Sequence, residues 1–332
     1  MKSTIAKLLA GVGAIALMAT TVQAADSVLP GGKWCEGVKI RFFTGGSEGD
    51  SFGTIVYNGA KQAAADLGPN VEYLFSDWNP EKMVQQLREA VAAKPDGIAM
   101  MGHTGDDAII NIVAEGHKNG TRFMFQNVPV PKVVAAYGGA YVGAKQKEQG
   151  YALGEEAVKV GKLKAGDTAI VFGPFDQENR GIREISVADA MEKAGLKVIR
   201  IPNPPEWFGD PNLGLPVVTA AIAKNPEVKA LSLTGGGVFG NAAAYLKAAG
   251  KKPGEVFTFG FDLSPQIIQG FKDNWIHLAA DQEPFLQGYM PILSLCQQIK
   301  LGMAPMNVDT GAGFVTQETY AAAGEMANKG LR

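Results

Sequence analysis

The sequence predicts an α/β protein made of two doubly wound domains, each on a mostly parallel sheet. Short β-rich apolar runs alternate with helix-length periodic segments almost to the end of the 332 residues, the signature of βαβ units. The series reaches about Phe125 and then restarts with a similar cadence at Thr168. Two sheets side by side suit such a length better than one very wide sheet.

The chain opens with MKSTIAKLLAGVGAIALMATTVQA: Lys2 and Lys7, an apolar core from Leu8 to Met18, and a small-residue site at Val22-Gln23-Ala24. This reads as a signal peptide cleaved near Ala24, residues 1–24, and its core is too short to span a bilayer. Removing two lysines and no acids would take the formal charge from −2 to −4. Such mild acidity argues against nucleic acid or an anionic membrane as partner.

In the first half the strand runs are Val38–Phe43, Val71–Phe75, Gly97–Met101, Arg122–Phe125 and Ala140–Val142, with helical segments at Glu81–Ala93, Asp106–Lys118 and Glu148–Gly161. The second half has strand runs at Thr168–Phe172, Lys197–Ile201, Lys229–Leu233, Val256–Phe261, Ile276–Ala280 and Ala312–Val315. Its helical segments are Arg183–Ala194, Pro216–Lys224, Val238–Ala249, Pro265–Asp273, Pro284–Lys300 and Gln317–Asn328. Links near Ala144, after Gln282 and near Asp309 are where the chain would cross between domains, giving lobes of residues 25–144 plus 283–309 and 145–282 plus 310–332.

Two cysteines, Cys35 and Cys296, survive processing. Export would permit a disulfide between them, and two free thiols are the alternative. Cys35 is no lipid attachment site, because Gly31-Gly32-Lys33-Trp34 precedes it in place of an apolar core.

Open α/β sheets bind ligands at the carboxyl ends of their strands, so the residues after each run matter most. Thr44-Gly-Gly-Ser-Glu-Gly-Asp-Ser-Phe52 follows the first run, Gly102-His103-Thr104 the third and Gln126-Asn127 the fourth. A polar loop to Arg180, then Thr234-Gly235, Asp262 and Asp281-Gln282 follow later runs, with Phe52, Trp207 and Phe208 nearby. Amides, carboxylates and an arginine can chelate adjacent hydroxyls, while aromatic faces cover the C–H side of a sugar or polyol.

Motifs for covalent chemistry are weaker. Gly45-x-Ser47-x-Gly49 matches a nucleophile elbow, but it follows the first strand, so no earlier strand supplies an oxyanion loop. Of the three histidines, only His277 follows Asp262, and it falls within a strand run. Gly235-Gly-Gly-Val-Phe-Gly240 fits GxGxxG, with Asp262 some twenty residues on, yet it lies late in an exported chain and reads as a glycine turn at the ligand edge. Asp106 and Asp107 after His103 read as first-turn helix acids, and neither a metal-ligand spacing nor a P-loop occurs.

With these residues in hand, the mature chain resembles the periplasmic sugar-binding proteins of ABC importers, in the ribose- and galactose-binding class (periplasmic binding protein type 1). Gly49-Asp50-Ser51-Phe52 leading to Asn58-Gly59-Ala60 is similar to that family's polar-x-Phe turn and following helix. Asn127 matches its carboxylate after the fourth strand, Arg180 the arginine opening a helix of the second domain, and Gly260-Phe261-Asp262 its Gly-Phe-Asp. Ala280-Asp281-Gln282-x-Pro284 matches the segment with a ligand-binding glutamine. Gly235-Gly236 stands where the family has Asn-Asp, and Asn127-Val128 replaces Asp-Arg, which would remove a positive charge from the pocket.

The resemblance implies a Venus-flytrap protein with a three-strand hinge, no enzymatic activity and no cofactor. Its expected ligand is a neutral sugar or sugar alcohol, with a furanose or smaller polyol suiting the glycine-widened site. The expected contacts are Asp50, Asn127, Arg180, Asp262 and Gln282 through hydrogen bonds, Phe52 and Trp207 or Phe208 by stacking, and Ser47, His103 and Gly235 as further contacts. A monomer docking on an ABC-type permease is implied, with a sensory receptor as the alternative outlet and a Ser47 hydrolase as the rival from another class.

Overall fold

The computed structural model describes residues 32–332 apart from 178 and 312. The expected signal peptide lies outside the described residues, as does Ala312 at the start of the last strand run. Two six-stranded sheets form, in the order β11-β5-β4-β3-β1-β2 and β12-β10-β9-β8-β6-β7. The first comprises β1 (Lys39–Phe43), β2 (Asn70–Leu74), β3 (Gly97–Met101), β4 (Arg122–Gln126), β5 (Tyr141–Gly143) and β11 (Val308–Asp309). The second comprises β6 (Thr168–Gly173), β7 (Lys197–Pro202), β8 (Ala230–Leu233), β9 (Phe257–Phe261), β10 (Leu278–Asp281) and β12 (Gly313–Thr316). Every pairing is parallel except β10 with β12. The two-residue β11 escapes a periodicity reading because it is too short to alternate.

Helices α1 (Ser51–Leu67), α2 (Pro80–Ala92), α3 (Asp106–Lys118), α4 (Pro131–Tyr137) and α5 (Gln146–Val160) punctuate the first five strands. They are followed by α6 (Ile182–Lys193), α7 (Glu206–Gly209), α8 (Leu215–Lys224), α9 (Gly236–Gly240), α10 (Ala242–Ala248), α11 (Pro265–Lys272), α12 (Pro284–Leu301) and α13 (Tyr320–Asn328). Their starts follow capping chemistry. Asn79 accepts from Lys82 N at 2.9 Å with Pro80 next in line, and Ser264 accepts from Ile267 N at 3.2 Å ahead of Pro265, each satisfying a donor the helix leaves open.

Strands buried on both faces read as unbroken apolar runs. In β3, Ile98 and Met100 enter one core cluster while Ala99 and Met101 enter the cluster on the other face. In β6, Ile170 and Phe172 face one way and Ala169 and Val171 the other. Each sheet therefore has its own two-sided core.

The strand orders of the two sheets superimpose when β1–β5 are read as β6–β10, and the helix after the fifth strand changes sheet in both cases. Helix α5 leaves β5 and packs on α6, while α12 leaves β10 and packs on α1. Glycines permit both close approaches. A Cβ on Gly288 or Gly59 would collide with the backbone carbonyl of Val56 or Phe285, and one on Gly150 with that of Arg183.

Cys35, ahead of β1, and Cys296, in α12, form a disulfide with Cα atoms 5.6 Å apart. It resolves the alternative the sequence left open and fastens the crossing helix to the first lobe. Closing a loop between residues 261 apart restricts the unfolded chain by as much as about 5 kcal/mol in the loop-entropy account. A Cys35→Ser, Cys296→Ser variant should keep the same circular dichroism spectrum and unfold at a clearly lower urea concentration. An oxidised wild type with the midpoint of its reduced form would count against the bridge.

Candidate functional site

The carboxyl ends of both sheets face one cleft, which is lined from both lobes. On the first lobe stand Asp50, Phe52, Trp78, His103 and Asn127; on the second, Arg180, Arg183, Phe208, Gly235 and Asp262, with Gln282 at the crossover.

The glycine-rich turn after β1 builds one wall. Asp50 caps α1, accepting from Gly53 N, and its other oxygen accepts from Trp78 Nε1 at 3.1 Å. A side chain at Gly45 (φ +91°) would collide with the Trp78 ring, and a Cβ on Gly46 would lie 2.7 Å from Asp50 Cγ. The glycines thus make room for two cleft residues. Phe52 and Trp78 meet at 5.9 Å between ring centres, and Trp78 and His103 at 5.1 Å, so this wall is a continuous aromatic surface.

Ser47 does not line the cleft. Its hydroxyl donates to Asp77 Oδ1 at 2.7 Å, and Asp77 pairs with Lys82 at 2.6 Å. The three histidines are engaged elsewhere: His103 against Trp78, His117 against Tyr137, and His277 against Phe257. The elbow-like motif is a pinned turn without the base a nucleophile needs.

The opposite wall is polar. Arg180 precedes α6, and Arg183 lies on its first turn. Both guanidiniums bond the buried Glu184 carboxylate, Arg180 Nη1 at 3.1 Å and Arg183 Nη2 at 3.0 Å. Both also donate to Thr234 Oγ1 at 3.3 Å, and Thr234 donates to Glu184. Arg183 thus joins Arg180 on this wall of the cleft, paired with the same carboxylate. Of the adjacent aromatics, Phe208 lines the cleft, whereas Trp207 is 4% exposed and packs in the core with its ring 6.0 Å from Phe172. Consecutive helical residues point about 100° apart, so only one of the two faces the cleft.

Equivalent strands end on equivalent devices. Asn127 after β4 and Asp262 after β9 both adopt left-handed backbone, at φ +64° and +79°. Asn127 N donates to Val142 O and Asp262 N to Ala280 O. Gln282 joins them, donating through Nε2 to Asp262 and accepting from Asn127 Nδ2 at 3.2 Å.

Burial sets the electrostatics. It raises the carboxyl pKa of Asp262 against the pull of Arg183, Gln282 and Arg180, and raises that of Asp50 with a further push from Asp262. Burial also acts to raise Glu184, but Arg180, Arg183 and the Thr234 hydroxyl hold it below the usual carboxylate range. His103 is pushed down to about 3 by burial and then by Arg180 and Arg183, so its ring is neutral.

Trp78 and Arg183 were missed in sequence. Trp78 follows the end of β2, which the strand-end reading leaves out, and Arg183 lies on the first turn of α6, three residues after Arg180. Both signals were present.

The periplasmic binding protein domain family matches residues 42–303, and the chain belongs to that family. A 98-residue stretch is 31% identical to the xylose/arabinose-binding protein XylF of Sulfolobus acidocaldarius, covering 28% of this chain and 24% of that protein; the match spans about a quarter of the relative's length. A carbohydrate transporter from Acidothermus cellulolyticus 11B, solved with myo-inositol, superposes with TM-score 0.77 at 22% identity over 89% of this chain and 99% of that one. A galactofuranose-binding protein gives 0.77 at 17% identity, covering 89% and 100%. A Burkholderia graminis C4D1M solute-binding protein with D-arabinose gives 0.75 at 21% identity, covering 86% and 96%. These structures share the two-lobed fold.

The His103 shift has a pH consequence. Its folded pKa lies below the ordinary 6.5, so the unfolded chain takes up a proton that the folded one refuses, and stability falls as pH drops below 6.5. Between pH 7 and pH 4.5 this costs about 2–3 kcal/mol. Asp50 and Asp262, with raised values, act in the opposite direction. His103→Gln should flatten the loss on acidification by that amount in urea titrations, and parallel wild-type and variant curves would refute the assignment.

Proposed function

We propose that this protein captures a neutral sugar or sugar alcohol in the cleft and delivers it to an ABC-type membrane permease. The observation that carries the reading is the pairing of an aromatic wall, Phe52–Trp78–His103, with a facing wall of directed hydrogen-bonding groups. A carbohydrate presents one apolar C–H face and a rim of hydroxyls, and these walls complement both. Asp50, Asn127, Arg180, Asp262 and Gln282 bind hydroxyls, while Phe52, Trp78 and Phe208 cover carbon. Xylose, arabinose, myo-inositol and galactofuranose in the names of the relatives point to the same class.

The charge balance favours neutrality. Both guanidiniums are bonded to the buried Glu184, Asp50 and Asp262 line the same cleft, and His103 is neutral. A ligand carboxylate or phosphate would bring a negative charge into a desolvated space whose guanidiniums already have a carboxylate partner. The glycines at 235 and 236 leave recognition there to the backbone, which suits a furanose or compact polyol.

In this reading the lobes are residues 25–144 with 283–309 and residues 145–282 with 310–332. They rotate about crossovers near Ala144, Gln282 and Asp309, and ligand touching both lobes favours the closed form. The mature chain acts as a periplasmic monomer after cleavage near Ala24. No helix among the described residues is long and apolar enough to cross a membrane.

A thermal-shift panel of myo-inositol, D-arabinose, D-xylose, D-galactose and D-fucose should contain a stabilising compound. At 100 times its dissociation constant it adds about 2.7 kcal/mol. D-galacturonate and sugar phosphates should stabilise far less, and an anionic sugar matching its neutral parent would overturn the neutral-ligand reading. Asp262→Ala should weaken the best compound by at least about 30-fold while unfolding cooperatively, and unchanged affinity in calorimetry would move the site elsewhere.

A further inference from the structure

We infer that Glu184 is the positioning residue of the cleft: it locks Arg180 and Arg183 into one two-guanidinium donor that reads a pair of neighbouring ligand hydroxyls, with Arg183 selecting the ligand. The inference rests on the carbohydrate-binding reading and adds to it which wall discriminates.

The geometry is specific. Glu184 is fully buried and sits behind the guanidiniums, outside the lining of the cleft, whereas both arginines line it. Arg180 spends Nη1 on both Glu184 oxygens, at 3.1 Å each, and Arg183 spends Nε and Nη2 on Oε1 at 3.1 and 3.0 Å. A guanidinium carries five N–H donors in a rigid fork, so bonds to Glu184 and Thr234 leave donors over on each. The planes are held as well: Arg180 lies over the Phe208 ring at 5.4 Å and Arg183 over Phe261 at 3.8 Å. Long side chains held by a carboxylate, a hydroxyl and a ring lose little freedom when a ligand arrives.

Chemistry explains why one carboxylate serves both. Two guanidiniums side by side repel, and an interposed anion lets them share a wall. Buried ion triads are often no more stabilising than apolar side chains of the same volume, so stability alone gives little reason for this cluster. Fixed, adjacent donors do: they favour ligands whose oxygens are neighbours at matching spacing, and a missing hydroxyl leaves an N–H unpaired in a desolvated site. A lysine at 183 would keep the charge and lose the fork.

The experiment uses the full mature chain. The best-binding member of the panel above is compared by calorimetry with its mono-deoxy derivatives, on wild type, Arg183→Lys and Glu184→Gln. Wild type should lose about 30-fold for deoxygenation at one or two adjacent positions. In both variants that penalty should shrink to a few-fold, while penalties at the remaining positions stay as in wild type. An equal fall in affinity for every derivative, with the wild-type pattern of penalties kept, would reduce the cluster to scaffold and overturn the inference alone. If no panel member binds wild type, the carbohydrate reading fails and takes this inference with it. Should Glu184→Gln fail to unfold cooperatively, Arg183→Lys decides, because Glu184 keeps Arg180 as its partner.

Discussion

The structure turns on one side chain that bonds to both lobes. Gln282 stands where the chain leaves β10 for the first lobe. Its amide donates to Asp262 on the second lobe, and its carbonyl accepts from Asn127 on the first. Gln287, one turn into α12, reinforces it by donating to Gln282 O at 2.8 Å and Thr310 Oγ1 at 3.1 Å. Buried amides this deep must find partners or cost stability, so the hinge has a preferred arrangement in place of a free swivel. The orientation of Asn127 and Asp262 toward the cleft is inherited from that arrangement.

The same residues carry local strain. Left-handed backbone at Asn127 and Asp262 costs more than the extended form and persists only where surroundings enforce it. Here the enforcement is visible: Tyr141 OH and Gln146 Nε2 both donate to Asn127 O at 2.6 Å, and ladder bonds from β5 and β10 hold the two backbone N–H groups. Its occurrence at matching strand ends of two sheets with matching strand order shows one solution used twice. In one lobe the side chain is a neutral amide, in the other a carboxylate whose charge is opposed by burial. Both arginines of the cleft and their partner Glu184 belong to the second lobe, whereas the first lobe contributes the carboxyl group of Asp50.

The fold was legible because its code is local. Apolar runs bounded by turns, helical periodicity and the restart at Thr168 each follow from burial on sheet faces, and the strand runs recur in the structure within a residue or two. Short elements such as β11 and α4 were not legible, since a few residues cannot display a period. In the site, the strand-end rule found Asp50, Asn127, Arg180 and Asp262 at the cleft but could not rank Trp207 against Phe208, which depends on helix phase. Nor could it foresee that Ser47 is tied to Asp77, a contact set by the left-handed backbone at Asp77 and Trp78. The disulfide needed three dimensions, because nothing in sequence spacing brings α12 to the start of β1.

The glycines that looked like a lost contact have a geometric purpose on the other side of the cleft. A Cβ on Gly236 would lie 3.1 Å from Ser51 Oγ on the first lobe, and one on Gly235 3.0 Å from the Phe208 ring. Side chains at these positions would crowd Ser51 and the ring that packs against Arg180. Bare backbone lets the lobes approach there, while the guanidiniums of the second lobe stand around the start of α6.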